Sequence, residues 1–224
     1  MRNVRSEPFC GFSFIISKNV MKKIKSNDEL LDVLISIKNE LDEDKILFVS
    51  VAGLSRSGKS TLIHEIQKQL SEKFISSISI PLDHWILPAS NRDNAMTVKE
   101  RYQYDQIFND INKLVHKKEI EINPYDPMTR EISKNKIKLS ISGKHLVFFD
   151  GVIALDHSYI NNISRLKIFI EIDEKKRKKR FVDFYKSKGL SKLTIRNLYT
   201  QRMIDEFSLV KKSKNNADIL IVEK

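Results

Sequence analysis

The segment Gly53-Leu54-Ser55-Arg56-Ser57-Gly58-Lys59-Ser60 matches G-x-x-x-x-G-K-[ST] at every fixed position. This pattern constrains the fold because it works only between a strand and a helix, and the chain supplies both. Ile46 to Ala52 is a nearly unbroken apolar run, as expected of a central parallel strand buried on both faces. Leu62, Ile63, Ile66 and Leu70 then recur at helical spacing. Each residue type in the motif has a physical task. Gly53 and Gly58 let the backbone curl so that successive N–H groups point into one hollow. The helix beginning near Lys59 adds its partly positive N-terminus to that anion site. Lys59 is expected to reach the β- and γ-phosphates of a nucleoside triphosphate, and the Ser60 hydroxyl to ligate Mg²⁺. Ser55, Arg56, Ser57 and Thr61 complete the expected nucleotide-contact set.

The remaining pattern places this unit in a larger sheet. Ser26 and Glu29 form a capping-box pair ahead of the stripe Leu30, Leu34, Ile37, Leu41. Strands are expected over 75–81, 146–149, 166–172 and 219–222. Thr97 and Glu100 read as the cap of a further helix, with Val98, Phe108, Ile111, Leu114 and Val115 on its apolar side. Helices are also expected over about 174–186 and 193–211. Short alternating pieces around Pro124 and Pro127 predict a β-hairpin insertion at about 119–141. Strands alternating with helices predict an α/β fold, an open, mainly parallel sheet covered by helices on both faces. One domain over 26–224 is expected, with residues 1–25 as a loosely ordered N-terminal extension. Phe9, Phe12, Phe14, Ile15 and Ile16 in that extension are too short an apolar patch for a signal peptide.

Composition narrows the function classes. No apolar run approaches the roughly 20 residues of a membrane span, and a lone cysteine, Cys10, excludes an internal disulfide and suits a reducing cytoplasm. Lys+Arg exceed Asp+Glu by 40 to 29, a net charge of +11 that favours polyanionic partners. Lys175 to Arg180 is an unbroken basic run, readable as a nucleic-acid patch or as a helix that meets nucleotide phosphates. The dispersed histidines offer no metal-ligand spacing.

The residues beyond the phosphate loop point to the second substrate. Asp83 lies just past the carboxyl end of the strand over 75–81, where open α/β sheets bind ligands. A carboxylate there can accept the proton of an attacking hydroxyl or simply cap a turn. The neighbouring His84 and Trp85 are candidates to line an acceptor pocket, Trp85 by stacking on a planar group or else as core. Arg202 is a candidate contact to acceptor or phosphate, with a surface ion pair to Glu206 as the plainer reading.

Taken in order, the phosphate loop, Ile80-Pro81-Leu82-Asp83-His84-Trp85, Pro124-Tyr125-Asp126, Phe148-Phe149-Asp150-Gly151-Val152, the charged helix 173–180 and Ala217-Asp218-Ile219 resemble the uridine kinase and phosphoribulokinase family. The resemblance runs from about residue 46 to 222. It implies a P-loop kinase fold and transfer of the terminal phosphate of ATP or GTP, with Mg²⁺, to a hydroxyl of a small acceptor such as uridine or cytidine. Another small metabolite, or a nucleic-acid-associated NTPase, is the alternative. At matching positions it implies that Asp83 is the general base, that Tyr125 walls the acceptor pocket and that Asp150 helps hold Mg²⁺. Arg177 and Arg180 become the paired arginines of a lid over about 173–190. The phosphate loop carries Arg56 where a small residue is commoner, and the other departures fall on the acceptor side: Asp83-His84-Trp85-Ile86 stands where D-S-F-Y is frequent. Pro127, followed by Met128, Thr129 and Arg130, stands where a histidine is frequent. Arg130 joins the candidate acceptor contacts. The implied partners are a nucleotide and a small molecule, with nucleic acid disfavoured, no membrane, and a homo-oligomer allowed.

Overall fold

The computed structural model describes residues 21–93 and 96–223. The expectation for residues 1–20 lies outside the described residues. The strand β1 (Lys22–Ile24) leads to α1 (Asn27–Asn39), β2 (Leu47–Ala52), α2 (Lys59–Glu72) and β3 (Ser77–Pro81). After α3 (Tyr104–Lys117) come four short strands, β4 (Glu119–Ile122), β5 (Tyr125–Asp126), β6 (Glu131–Ile132) and β7 (Ile137–Ser140). The chain closes with β8 (Leu146–Asp150), α4 (Ser158–Ile163), β9 (Leu166–Ile172), α5 (Glu174–Ser187), α6 (Lys192–Ser213) and β10 (Ile219–Glu223).

Six strands form one parallel sheet in the order β1-β10-β9-β2-β8-β3. Successive side chains along each strand point to opposite faces, and both faces are covered. Leu146 and Phe148 of β8 join one apolar layer, with α1 and α2 supplying Leu30, Leu34, Ile63 and Leu70. Val147 and Phe149 point the other way, into a layer with Ile107, Ile111 and Leu114 of α3 and Val210 of α6. Between 119 and 140, β4 pairs antiparallel with β7, and β5 with β6.

Two expectations change. Residues 22–24, assigned by sequence to the extension, form an edge strand in register with Ile219–Ile221 of β10. Only Ile24 of its side chains is buried, so the strand carries almost no hydrophobic pattern. The Thr97–Glu100 capping bonds form, Thr97 N–H to Glu100 Oε2 at 2.7 Å, but the helix starts at Tyr104. The intervening backbone is diverted sideways: Leu87 N–H donates to Arg101 O at 2.9 Å and Gln103 N–H to Trp85 O at 3.0 Å. Phe108, off the buried stripe of Ile107, Ile111 and Leu114 in α3, is 45% exposed and packs edge-on with Tyr159.

Leu34 is fully buried between α1 and the sheet, remote from the phosphate loop. Leu34→Ala should lower unfolding free energy by about 2 to 5 kcal/mol, read by urea denaturation, with nucleotide affinity unchanged under native conditions.

Candidate active site

Parallel pairing brings three sequence-distant features to one edge of the sheet. The phosphate loop follows β2, Asp150 ends β8 and Asp83 follows β3, and the three strands are consecutive neighbours in that sheet. Asp150 is in register with Val51 on one side and Pro81 on the other. It therefore stands between the loop and Asp83.

Gly53 leaves β2 with φ +151°, and a β-carbon there would stand 2.5 Å from the Ile170 carbonyl oxygen of β9. Gly58 caps α2 in the left-handed region, φ +95°. Lys59 is buried and its Nζ donates to the carbonyls of Gly53 at 3.0 Å and Leu54 at 3.1 Å. The Ser60 hydroxyl donates to Asp150 Oδ2 at 2.5 Å. Burial raises the Asp150 carboxyl above its ordinary range; Lys59 and the Ser60 hydroxyl pull it back, and Asp83 adds to the rise. The hydroxyls of Ser55 and Ser57 are buried without a protein partner. Such orphaned groups are few in native structures and here ring the loop that an anion would enter. Ser60 with Asp150 is also a suitable oxygen pair for Mg²⁺, which takes one or two protein oxygens beside phosphate and water.

Beside the loop, Arg56, Lys59, Ser60, Thr61, Arg180 and Phe184 line a cleft of about 410 Å³. Arg56, at φ +66°, lays its guanidinium 3.2 Å from the centre of the Phe184 ring. Lys188, at the end of α5, reaches the same ring and donates to the Pro127 carbonyl at 2.9 Å. Loop, α5 and the β5–β6 hairpin thus touch. The two expected lid arginines part company. Arg177 points inward, 1% exposed, with Nε and Nη2 on the Glu174 carboxylate at 2.9 Å each and Nη1 toward the Ser55 carbonyl at 3.5 Å. Arg180 faces the cleft and pairs through both terminal nitrogens with Glu223 at the end of β10. Lys175, Lys176, Lys178 and Lys179 are exposed.

On the acceptor side, Asp83 is exposed and accepts the Tyr102 hydroxyl at 2.7 Å. His84 is half-buried beside Trp85, and burial lowers its pKa against the pull of Asp83. Trp85 itself is core, 3% exposed, with its indole N–H committed to Asp110 of α3 at 2.8 Å. It packs against α3 because Asp110 satisfies its N–H, which corrects the stacking role. The Tyr125 ring lies under the Arg92 guanidinium at 4.8 Å. Asp126 caps the tip of its hairpin, accepting the Met128 N–H at 2.8 Å and the Thr129 hydroxyl at 3.0 Å. Arg130 sits exposed at that tip with φ +64°, its carbonyl taking the Ala89 N–H.

The surface pair expected on α6 is not at the surface. Glu206 is 1% exposed, lies 3.7 Å from Arg202 and accepts the Ser55 backbone N–H at 2.5 Å. Nearby, Arg101 pairs with Asp205 at 2.6 Å. Sequence reading missed Tyr102, Arg101 and Glu223 as neighbours of the site and misplaced Glu206. One signal was present: Glu206 falls on the same stripe of α6 as the buried Ile195, Val210 and Ser213. Charged residues on an apolar stripe are buried for a reason.

Comparison with known proteins extends these observations. The model of the phosphoribulokinase / uridine kinase family matches residues 48–223. The chain is 26% identical over 194 residues to a uridine kinase of Lactobacillus helveticus (strain DPC 4571), covering 80% of this chain and 88% of that protein. It is 23% identical over 185 residues to a uridine kinase of Staphylococcus aureus (strain JH9), covering 78% and 86%. The fold is similar to that of D-glycerate 3-kinase from Cryptococcus neoformans var. grubii, with TM-score 0.60, 13% identity and coverage of 84% and 89%.

The close approach at Gly53 gives a direct check. Gly53→Ala must move the loop away from Ile170, and strain of this kind runs to about 1 to 3 kcal/mol. Triphosphate binding, followed by calorimetry, should weaken about tenfold or more while far-UV circular dichroism stays that of the parent.

Proposed function

As a member of the phosphoribulokinase / uridine kinase family, this chain is a small-molecule kinase, and we propose that it moves the terminal phosphate of ATP onto a hydroxyl of a nucleoside, uridine or cytidine. The observation that carries the reading is the strand order β2-β8-β3, which lines up phosphate loop, Asp150 and Asp83 along one sheet edge. The nucleoside assignment is supported by the relatives named uridine kinase. His84, Tyr125, Arg130 and Arg202 are its proposed contacts.

In this reading the loop N–H groups, the α2 N-terminus and Lys59 hold the phosphates. Lys59 exchanges its two loop carbonyls for phosphate oxygens. Ser60 and Asp150 would hold Mg²⁺, which when bound neutralises charge on the phosphate oxygens. Asp83 accepts the proton of the acceptor hydroxyl as that oxygen forms its bond to the terminal phosphorus. The bridging P–O bond breaks, and its electron pair leaves with the nucleoside diphosphate. Arg180, which lines the cleft, meets the transferring phosphate in this reading. Arg177 docks α5 against the loop.

A panel of nucleosides, sugars and small hydroxy acids with ATP or GTP, read by mass spectrometry for an added phosphate, tests the acceptor. A product from sugars or hydroxy acids and none from nucleosides would replace the assignment. With the working acceptor, Asp83→Asn should lower kcat by about 10² to 10⁴ and leave the nucleotide Kd near its parent value. Lost nucleotide affinity with intact kcat would make Asp83 structural.

The basic run offers a second check. Arg180→Ala should depress kcat with the small acceptor, whereas Lys175→Ala and Lys179→Ala, at exposed positions, should not. A nucleic-acid surface would behave otherwise, since phosphate contacts add evenly through counterion release. All three variants would then weaken RNA binding and flatten its salt dependence, with turnover unchanged.

A further inference from the structure

Asp83 is exposed on a short turn, Leu82–Trp85, and a carboxylate so placed swings between rotamers unless something holds it. The holding group comes from the segment that sequence periodicity assigns to a helix. Three backbone interactions fasten residues 101–103 against 85–87: Leu87 N–H to Arg101 O, Gln103 N–H to Trp85 O, and an antiparallel bridge of Ile86 with Tyr102. The Tyr102 ring is 8% exposed within the apolar layer beneath the turn. Its position is therefore fixed by packing and by main chain together. Its hydroxyl is 2.7 Å from Asp83 Oδ1.

We propose that Tyr102 is the positioning residue for the base: its hydroxyl occupies Oδ1 of Asp83 and leaves Oδ2 as the oxygen turned to the acceptor. This rests on the reading of Asp83 as the base. A phenol suits the task because it donates without adding charge. Burial, and then the Asp83 carboxylate itself, raise the Tyr102 pKa well above its ordinary value, so the proton stays on the phenol. The charged and titratable groups around the pair come from each neighbouring element. His84 adjoins Asp83 on its own turn, Arg56 approaches from the phosphate loop, Asp150 stands on β8, and Glu206 and Arg202 act on Tyr102 from α6. Arg101, the preceding residue, is anchored to Asp205 of α6 at 2.6 Å, which ties the same segment to that helix.

Tyr102→Phe keeps the buried ring and removes only the donor. A hydrogen bond to a charged acceptor is worth about ten- to a hundredfold, so the single-turnover rate of phosphoryl transfer should fall by that factor. The loss should fall on kcat, with the KM for the acceptor near its parent value, because the phenol orients the base and does not itself hold the acceptor. Nucleotide Kd and melting temperature serve as controls for a merely structural role and should stay close to parent values. In an Asp83→Ala background, Tyr102→Phe should cost nothing further. An unchanged kcat in Tyr102→Phe, beside a large loss in Asp83→Asn, would leave the base standing and overturn the positioning role alone. The same fold-loss on the Asp83→Ala background would also overturn it. Full activity in Asp83→Asn would remove the base reading and this one with it.

Discussion

Gly53 passes so close to the Ile170 carbonyl of β9 that no side chain fits between them, and much of the site depends on that approach. It lets β2 end directly beneath a loop whose next residues curl back toward α2. Gly58 then completes the curl in a conformation that a branched side chain could not adopt without strain. With the loop closed, Lys59 reaches back over it to the carbonyls of Gly53 and Leu54. Ser60, one residue on, faces the end of β8 and meets Asp150. A loop standing farther from β9 would lose the register that puts Ser60 and Asp150 within one hydrogen bond.

Several charges are taken out of water to keep that arrangement. Arg177 and Glu206 are each 1% exposed, and an isolated buried charge costs several kcal/mol. Each has an ionic partner on its own helix and itself touches the loop. Arg177 binds Glu174 in a fork and reaches the Ser55 carbonyl, while Glu206 takes the Ser55 N–H. Ser55 is thus held through both its backbone groups by α5 and α6. Leu54 of the loop also shares a pocket with Met203 and Phe207 of α6, so charge and apolar packing locate the loop together.

The sequence is legible wherever burial is two-sided and periodic. The β2, β8 and β9 runs and the stripes of α1 and α2 read directly as strands and helices, and the phosphate loop identifies itself by spacing. It is illegible where long-range hydrogen bonds override local preference. Thr97 and Glu100 cap a turn because residues 101–103 pair with 85–87, and no local pattern announces that pairing. β1 shows only Ile24 to the core and depends on β10 for its existence. Trp85 beside Asp83 reads equally as ligand platform or core, and only the Asp110 carboxylate across α3 decides. Glu206 four residues after Arg202 has the spacing of a surface pair; its burial is imposed by how α6 lies across the loop.

The separate fates of Arg177 and Arg180 come from the same rule about burial. Their i, i+3 spacing puts them on adjoining faces of α5, yet their partners differ in cost of exchange. Removing Glu174 from Arg177 would leave a charge with almost no access to water without its carboxylate partner. The Arg180–Glu223 pair has side chains 43% and 31% exposed, and ion pairs open to solvent are worth about 0 to 1 kcal/mol. Only Arg180 can therefore trade its partner for a phosphate at little cost, and it is the one that lines the cleft. Glu223 lies against Gly58, so in the proposed reaction its carboxylate and an incoming phosphate would compete for one guanidinium. In a kinase that works as proposed, α5 is pinned by its first arginine and reports nucleotide through its second. A basic run that looks uniform in sequence is divided by burial into an anchor, a cleft-lining arginine and a solvated remainder.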